Sequence, residues 1–177
     1  MDQEHHPANR RIDRIREPSY LDGIEGQSLE DVRARRDECM AEREYLSLLR
    51  RLVQGRAEIL KAELASRSTD DARPLVDRLS EILASDQPVT SRGEAMKVSL
   101  PEEEMLLARR RIERLVADAG ISDPSELDDD RLKEAVDVLA GEEREVSTQR
   151  GDVHRVLDAL QDELKRRYKE DPSLALS

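Results

Sequence analysis

VRARRDECMAEREYLSLLRRLVQGRAEIL, residues 32–60, carries an apolar residue at every seventh position: Val32, Cys39, Leu46, Val53 and Leu60. That is the repeat of a coiled-coil seam, in which one edge of a long helix is buried against a partner helix. A second stretch, LKEAVDVLAGEEREVSTQRGDVHRVLDAL at residues 132–160, repeats the pattern with Leu132, Leu139, Val146, Val153 and Leu160, each numbered 100 higher than its counterpart. The two seams therefore share one register. A polar row runs beside each of them. The first row contains Arg43, Ser47, Arg50, Gln54 and Glu58, and the second contains Glu143, Ser147, Arg150, His154 and Asp158, again offset by 100. At about 100° per residue, either row spreads over only about 80° and forms one line along its helix.

The whole chain is compatible with this arrangement. Its 177 residues are 40% charged and 2% aromatic, with no Trp or Phe, so a thick globular core is out of reach and a narrow seam of Leu, Val, Ile and Ala must be buried instead. The expected fold is all-α: an antiparallel coiled-coil hairpin of two long helices, residues 28–67 and 128–167, buttressed by shorter helices. Ser28 with Asp31 reads as the cap of the first long helix. One short amphipathic helix is expected to start at Pro74 and end near Asp86, and another to run from Ser99 to Gly120. Val89 to Ser99 reads as a polar loop. Residues 28–167 are expected to form one helical domain. Residues 1–27 read as a mostly disordered tail, except that PSYLDGIEGQ could fold back on the bundle or onto a partner. Residues 168–177 read as a frayed C-terminal tail.

A net charge of −11 argues against a general nucleic-acid binder and suits a basic protein partner. Cys39, the single cysteine, falls on the seam and reads as a small core residue. Neither a signal peptide nor a membrane-spanning apolar run is evident, so the expected compartment is the cytoplasm. His5 and His6 read as solvated residues of the tail.

A single line of charged residues on a helix is usually a solvated face. Two lines holding Ser-x-x-Arg in phase with both seams point instead to a ligand. Arginine can donate a forked pair to the O6/N7 edge of guanine, a carboxylate can accept from its N1 and N2 hydrogens, and serine, glutamine and histidine can reach phosphate oxygens. Ser147, His154 and Asp158 do not form a catalytic triad. Ser147 and His154 stand about 10.5 Å apart along one helix, whereas a nucleophile and its base need about 3 Å. The expectation is that the protein is not an enzyme.

At these residues the sequence resembles the RsiG family of actinobacterial anti-sigma factors, whose signature E-x-x-x-S-x-x-R-x-x-x-Q-x-x-x-D occurs once on each of two antiparallel helices. The resemblance covers both long helices and PSYLDGIEGQSLEDVRARR before them. It implies binding of cyclic di-GMP and, with it, sequestration of a WhiG-type sigma factor, without direct contact to nucleic acid or membrane. Carried over residue by residue, the implied ligand contacts are Ser47, Arg50, Gln54, Glu58, Glu143, Ser147, Arg150, His154 and Asp158. Three of the positions depart from the signature: Arg43 stands where it has Glu, Glu58 where it has Asp and His154 where it has Gln. Glu58 keeps the carboxylate and His154 keeps a donor, while Arg43 reverses a charge. The competing reading is a structural coiled-coil adaptor with no nucleotide ligand.

Overall fold

A computed structural model of the chain describes residues 7–69, 100–121 and 123–175, with the side chains of residues 7–10 excepted. The helix expected from Pro74, the loop from Val89, and His5 and His6 lie outside the described residues. Among the described residues the regular structure is helical throughout: α1 (Pro7–Arg16), α2 (Leu29–Thr69), α3 (Glu102–Asp118) and α4 (Asp129–Glu170), with single 3₁₀ turns at Pro18–Leu21, Ile24–Gly26, Pro124–Glu126 and Pro172–Ala175.

Both long helices start where their sequences place a cap. The Ser28 hydroxyl oxygen accepts from the Asp31 amide at 3.0 Å, and an Asp128 carboxylate oxygen accepts from the Arg131 amide at 2.8 Å. Each thereby satisfies a first-turn donor that has no partner within its helix. Helix α3 ends in a left-handed glycine, Gly120, at φ +67°. The Gly120 amide donates to Ala117 O at 3.0 Å and the Ile121 amide to Val116 O at 2.9 Å, a pairing that closes the helix and leaves Ile121 buried.

All ten seam residues are buried, from Val32 through Leu60 and from Leu132 through Leu160. The described chain divides into two compact units. Unit one draws on Met1–Ser47 and Ser147–Ser177, and unit two is Leu48–Val146. Each long helix contributes to both units, and within each unit the two long helices run antiparallel.

In unit one, Ile12 and Ile15 of α1 are buried, and Arg11 forms an ion pair with Glu42, a carboxylate wholly inside the seam. A buried charge of that kind is tolerated only with a partner. Arg16 reaches Asp152 at 2.9 Å. The 3₁₀ turn at Pro18–Leu21 buries Tyr20, whose hydroxyl donates to Glu38 at 2.8 Å while the Arg35 guanidinium lies 5.2 Å from its ring centre. Cys39 is free and buried beside it, and burial pushes its thiol up to about 11. The next turn is held by Arg167, which donates to Ile24 O at 2.6 Å and Gln27 O at 2.8 Å and also pairs with Glu163. At the far end of α4, the Tyr168 hydroxyl accepts from Arg33 at 3.0 Å, and Arg33 also donates to Leu174 O at 2.6 Å.

These contacts correct two expectations. Residues 7–16, read as part of a disordered tail, form α1, whereas PSYLDGIEGQ folds back onto the long helices, one of the two destinations offered for it. Ile12, Ile15 and Tyr20 supply an apolar face too short to register as a sustained period but sufficient once the seam offers a surface. Helix α4 continues to Glu170 where a frayed tail is expected from 168, because Arg33 engages both Tyr168 and the backbone beyond it.

Unit two repeats two sets of these contacts with residue numbers shifted by 100 or back again. Arg111 of α3 pairs with Glu142 at 2.7 Å, as Arg11 does with Glu42. Arg67 donates to Pro124 O at 3.1 Å and Leu127 O at 2.6 Å and pairs with Glu63, as Arg167 does with Ile24, Gln27 and Glu163. Ala108 and Ile112 of α3 are buried as well.

Candidate functional site

The two polar rows lie on α2 and α4 beside the buried seams, and each row contributes to both units. In unit one, Arg150 of the second row donates from Nε to the Ser47 hydroxyl oxygen of the first row at 3.1 Å. The Ser47 hydroxyl in turn donates to Arg43 O at 2.8 Å, one helical turn earlier. The Arg43 side chain pairs with its neighbour Glu44 at 3.1 Å. Ser147 is half-buried, whereas His154 and Asp158 are exposed to solvent.

In unit two, Arg50 of the first row donates from Nε to Glu143 of the second at 2.7 Å, and Gln54 donates to the same carboxylate oxygen at 3.4 Å. The Arg50 side chain remains 39% exposed and that of Glu143 26%, so the pair sits at the surface with its outer edges open to solvent. Glu58 accepts from Lys61 of its own helix at 2.9 Å.

Within each unit, then, a residue of one row meets a residue of the other: Ser47 with Arg150, and Arg50 and Gln54 with Glu143. Glu58, His154 and Asp158 are not drawn into either contact. Chemically, unit one presents a guanidinium on a hydroxyl and unit two a guanidinium and an amide on a carboxylate, both at solvent-accessible depth. Such a set can hold a phosphate oxygen or a nucleobase edge through charge-assisted hydrogen bonds.

Sequence reasoning missed a groove in unit one between α1, the first turn and α4, lined by Ile15, Arg16, Pro18, Leu21, Asp152 and Val156 among others. Asp152 and Val156 flank His154 on α4, but Arg16 comes from the stretch read as a tail. The groove contains no row residue. Among the described residues no cluster of three or more His, Cys, Asp or Glu side chains is arranged to hold a metal ion, and no helix is long and apolar enough to cross a membrane.

A family model described as RsiG-like matches residues 18–83. The match includes the whole of the first row and ends before the second. The match suggests an anti-sigma role and, with it, a sigma factor as partner. Among curated proteins, none matches the chain.

Proposed function

We propose that this chain, which belongs to the RsiG-like family through residues 18–83, is an anti-sigma factor that binds cyclic di-GMP through its two rows and, with the nucleotide, sequesters a WhiG-type sigma factor. The observation that carries the reading is that side chains of both rows meet within each unit, Arg150 with Ser47 and Arg50 with Glu143. A ligand reaching either arginine would be read by both helices at once.

Cyclic di-GMP has the matching chemistry. Its guanines present O6 and N7 to an arginine fork and N1 and N2 hydrogens to a carboxylate, and its phosphates accept from Ser47, Gln54, Ser147 or His154. Arg50 and Arg150 supply the forks, and Glu58 and Asp158 supply carboxylates. A two-fold symmetric dinucleotide has more edges than one row can use, so part of it is left for the sigma factor. The nucleotide then acts as glue, and linkage requires that sigma tighten nucleotide binding by the same factor that nucleotide tightens sigma binding.

Calorimetric titration of the full chain with cyclic di-GMP, with and without a WhiG-type sigma factor, tests the reading. Saturable binding that tightens when sigma is present is expected. An affinity that sigma leaves unchanged removes the glue mechanism, and no saturable binding in either arm returns the chain to a coiled-coil adaptor without a nucleotide.

A further inference from the structure

The two units repeat their scaffold contacts at an offset of 100 but not their row contacts, and the difference is one of charge. The Arg50–Glu143 pair of unit two would have Arg150 with Arg43 as its equivalent in unit one. Two guanidinium groups cannot form an ion pair. Arg43 turns instead to Glu44 at 3.1 Å, and Arg150 gives its Nε hydrogen to an uncharged hydroxyl, that of Ser47, at 3.1 Å. Among the described residues no carboxylate pairs with Arg150, whereas Arg50 already holds one at 2.7 Å.

A carboxylate presents to a guanidinium the same pair of anionic oxygens as a phosphate. Glu143 therefore stands where an anionic ligand group would stand on Arg50. From the charge reversal at position 43 we infer that the two arginines are not equivalent. Glu143 is a built-in competitor for Arg50, so Arg150 takes an anionic oxygen first and Arg50 takes one only as Glu143 lets go. The inference rests on reading the rows as a ligand-binding surface. It deepens that reading by giving the two rows an order of occupation, and by assigning Glu143 the role of a gate on Arg50 rather than a contact to the ligand.

The test follows the Nε–H signals of Arg50 and Arg150 by NMR in the full chain during titration with inorganic phosphate, assigned through Arg50→Lys and Arg150→Lys. The Arg150 signal is expected to respond at a phosphate concentration about two- to fivefold lower than Arg50, the factor that a surface ion pair supplies. Glu143→Gln keeps the shape of the side chain and is expected to bring Arg50 level with Arg150. Arg43→Glu restores the missing carboxylate and is expected to delay Arg150. Parallel responses in the unmodified chain, an Arg50 response unaltered by Glu143→Gln, or no response of either signal overturns the inference. Cyclic di-GMP is titrated separately into the same samples. If it fails to bind while the phosphate order holds, the nucleotide reading falls and the inference stands. If it binds and Glu143→Gln weakens it, Glu143 is a ligand contact and the gate is refuted.

Discussion

Unit one and unit two are built from equivalent residues, and comparing them separates what the scaffold needs from what the rows do. The scaffold contacts coincide: Arg11 with Glu42 and Arg111 with Glu142, Arg167 on one pre-helix turn and Arg67 on the other. The coverings differ. In unit one Tyr20 is buried beside Glu38 and Cys39, while in unit two the position equivalent to Tyr20 is Gly120, and Val138, equivalent to Glu38, stays 44% exposed. The rows differ most, because Arg43 faces its helix neighbour while Glu143 takes Arg50. The lesson is that an ion pair that anchors a helix is kept in both copies, and a surface pair is free to diverge.

The largest expected effect tests the shared scaffold. Leu60 in unit two and Leu160 in unit one are equivalent and buried, so Leu60→Ala and Leu160→Ala should each lower unfolding free energy by about 2–5 kcal/mol in urea titrations. A loss below about 1 kcal/mol in only one of them breaks the equivalence of the seams.

Next comes the divergence of the rows. Arg50→Ala and Arg150→Ala are expected to weaken sigma binding by about 1–3 kcal/mol only when cyclic di-GMP is present, because a forked contact to guanine is lost. Arg150→Ala should do the greater damage, since no carboxylate has to leave Arg150 first. Equal losses in nucleotide-free pull-downs would mean that both arginines touch sigma directly.

A smaller effect comes from the glycines inside the long helices. Gly55 in unit two and Gly151 in unit one have open space where a Cβ would stand, and neither has positive φ. Gly55→Ala and Gly151→Ala should therefore each raise stability by about 0.5–1 kcal/mol in thermal melts. If either instead lowers affinity for cyclic di-GMP, that glycine is kept to let a flat base approach the helix.

The smallest effect concerns how stability depends on pH. Hydrogen bonds from Arg166 and Arg167 hold Glu163 at about 2, below its ordinary 4.5. A carboxylate lowered on folding contributes stability that is present above pH 4.5 and is lost as the pH falls toward 2. Glu163→Gln should flatten the pH dependence of urea stability across that window. A variant as acid-sensitive as the parent would show that the Glu163 pairs do not persist in solution.

Much of the fold was legible because it is local or periodic. The seams appear as apolar residues seven apart, the first cap as Ser28, and the end of α3 as Gly120. Helix α1 was not legible because Ile12 and Ile15 are two apolar residues in a charged decapeptide, and such a helix forms only against a surface already made. The row residues could be named from spacing and from the family resemblance, but not their partners. Nothing in the spacing says that Arg50 meets Glu143 or that Arg150 meets Ser47.

By itself, the sequence determined that two helices of matching register bury a narrow seam and carry two matching polar rows, since periodicity and capping are properties of residues close along the chain. Only the tertiary structure decided which residue of one row faces which residue of the other. A seam that repeats every seven residues admits several antiparallel alignments of nearly the same apolar burial, and the choice among them falls to contacts between residues far apart in the chain, such as Arg33 with Tyr168, Arg67 with Leu127 and Arg167 with Ile24. That alignment turns a single charge reversal at Arg43 into a difference between two otherwise equivalent arginines.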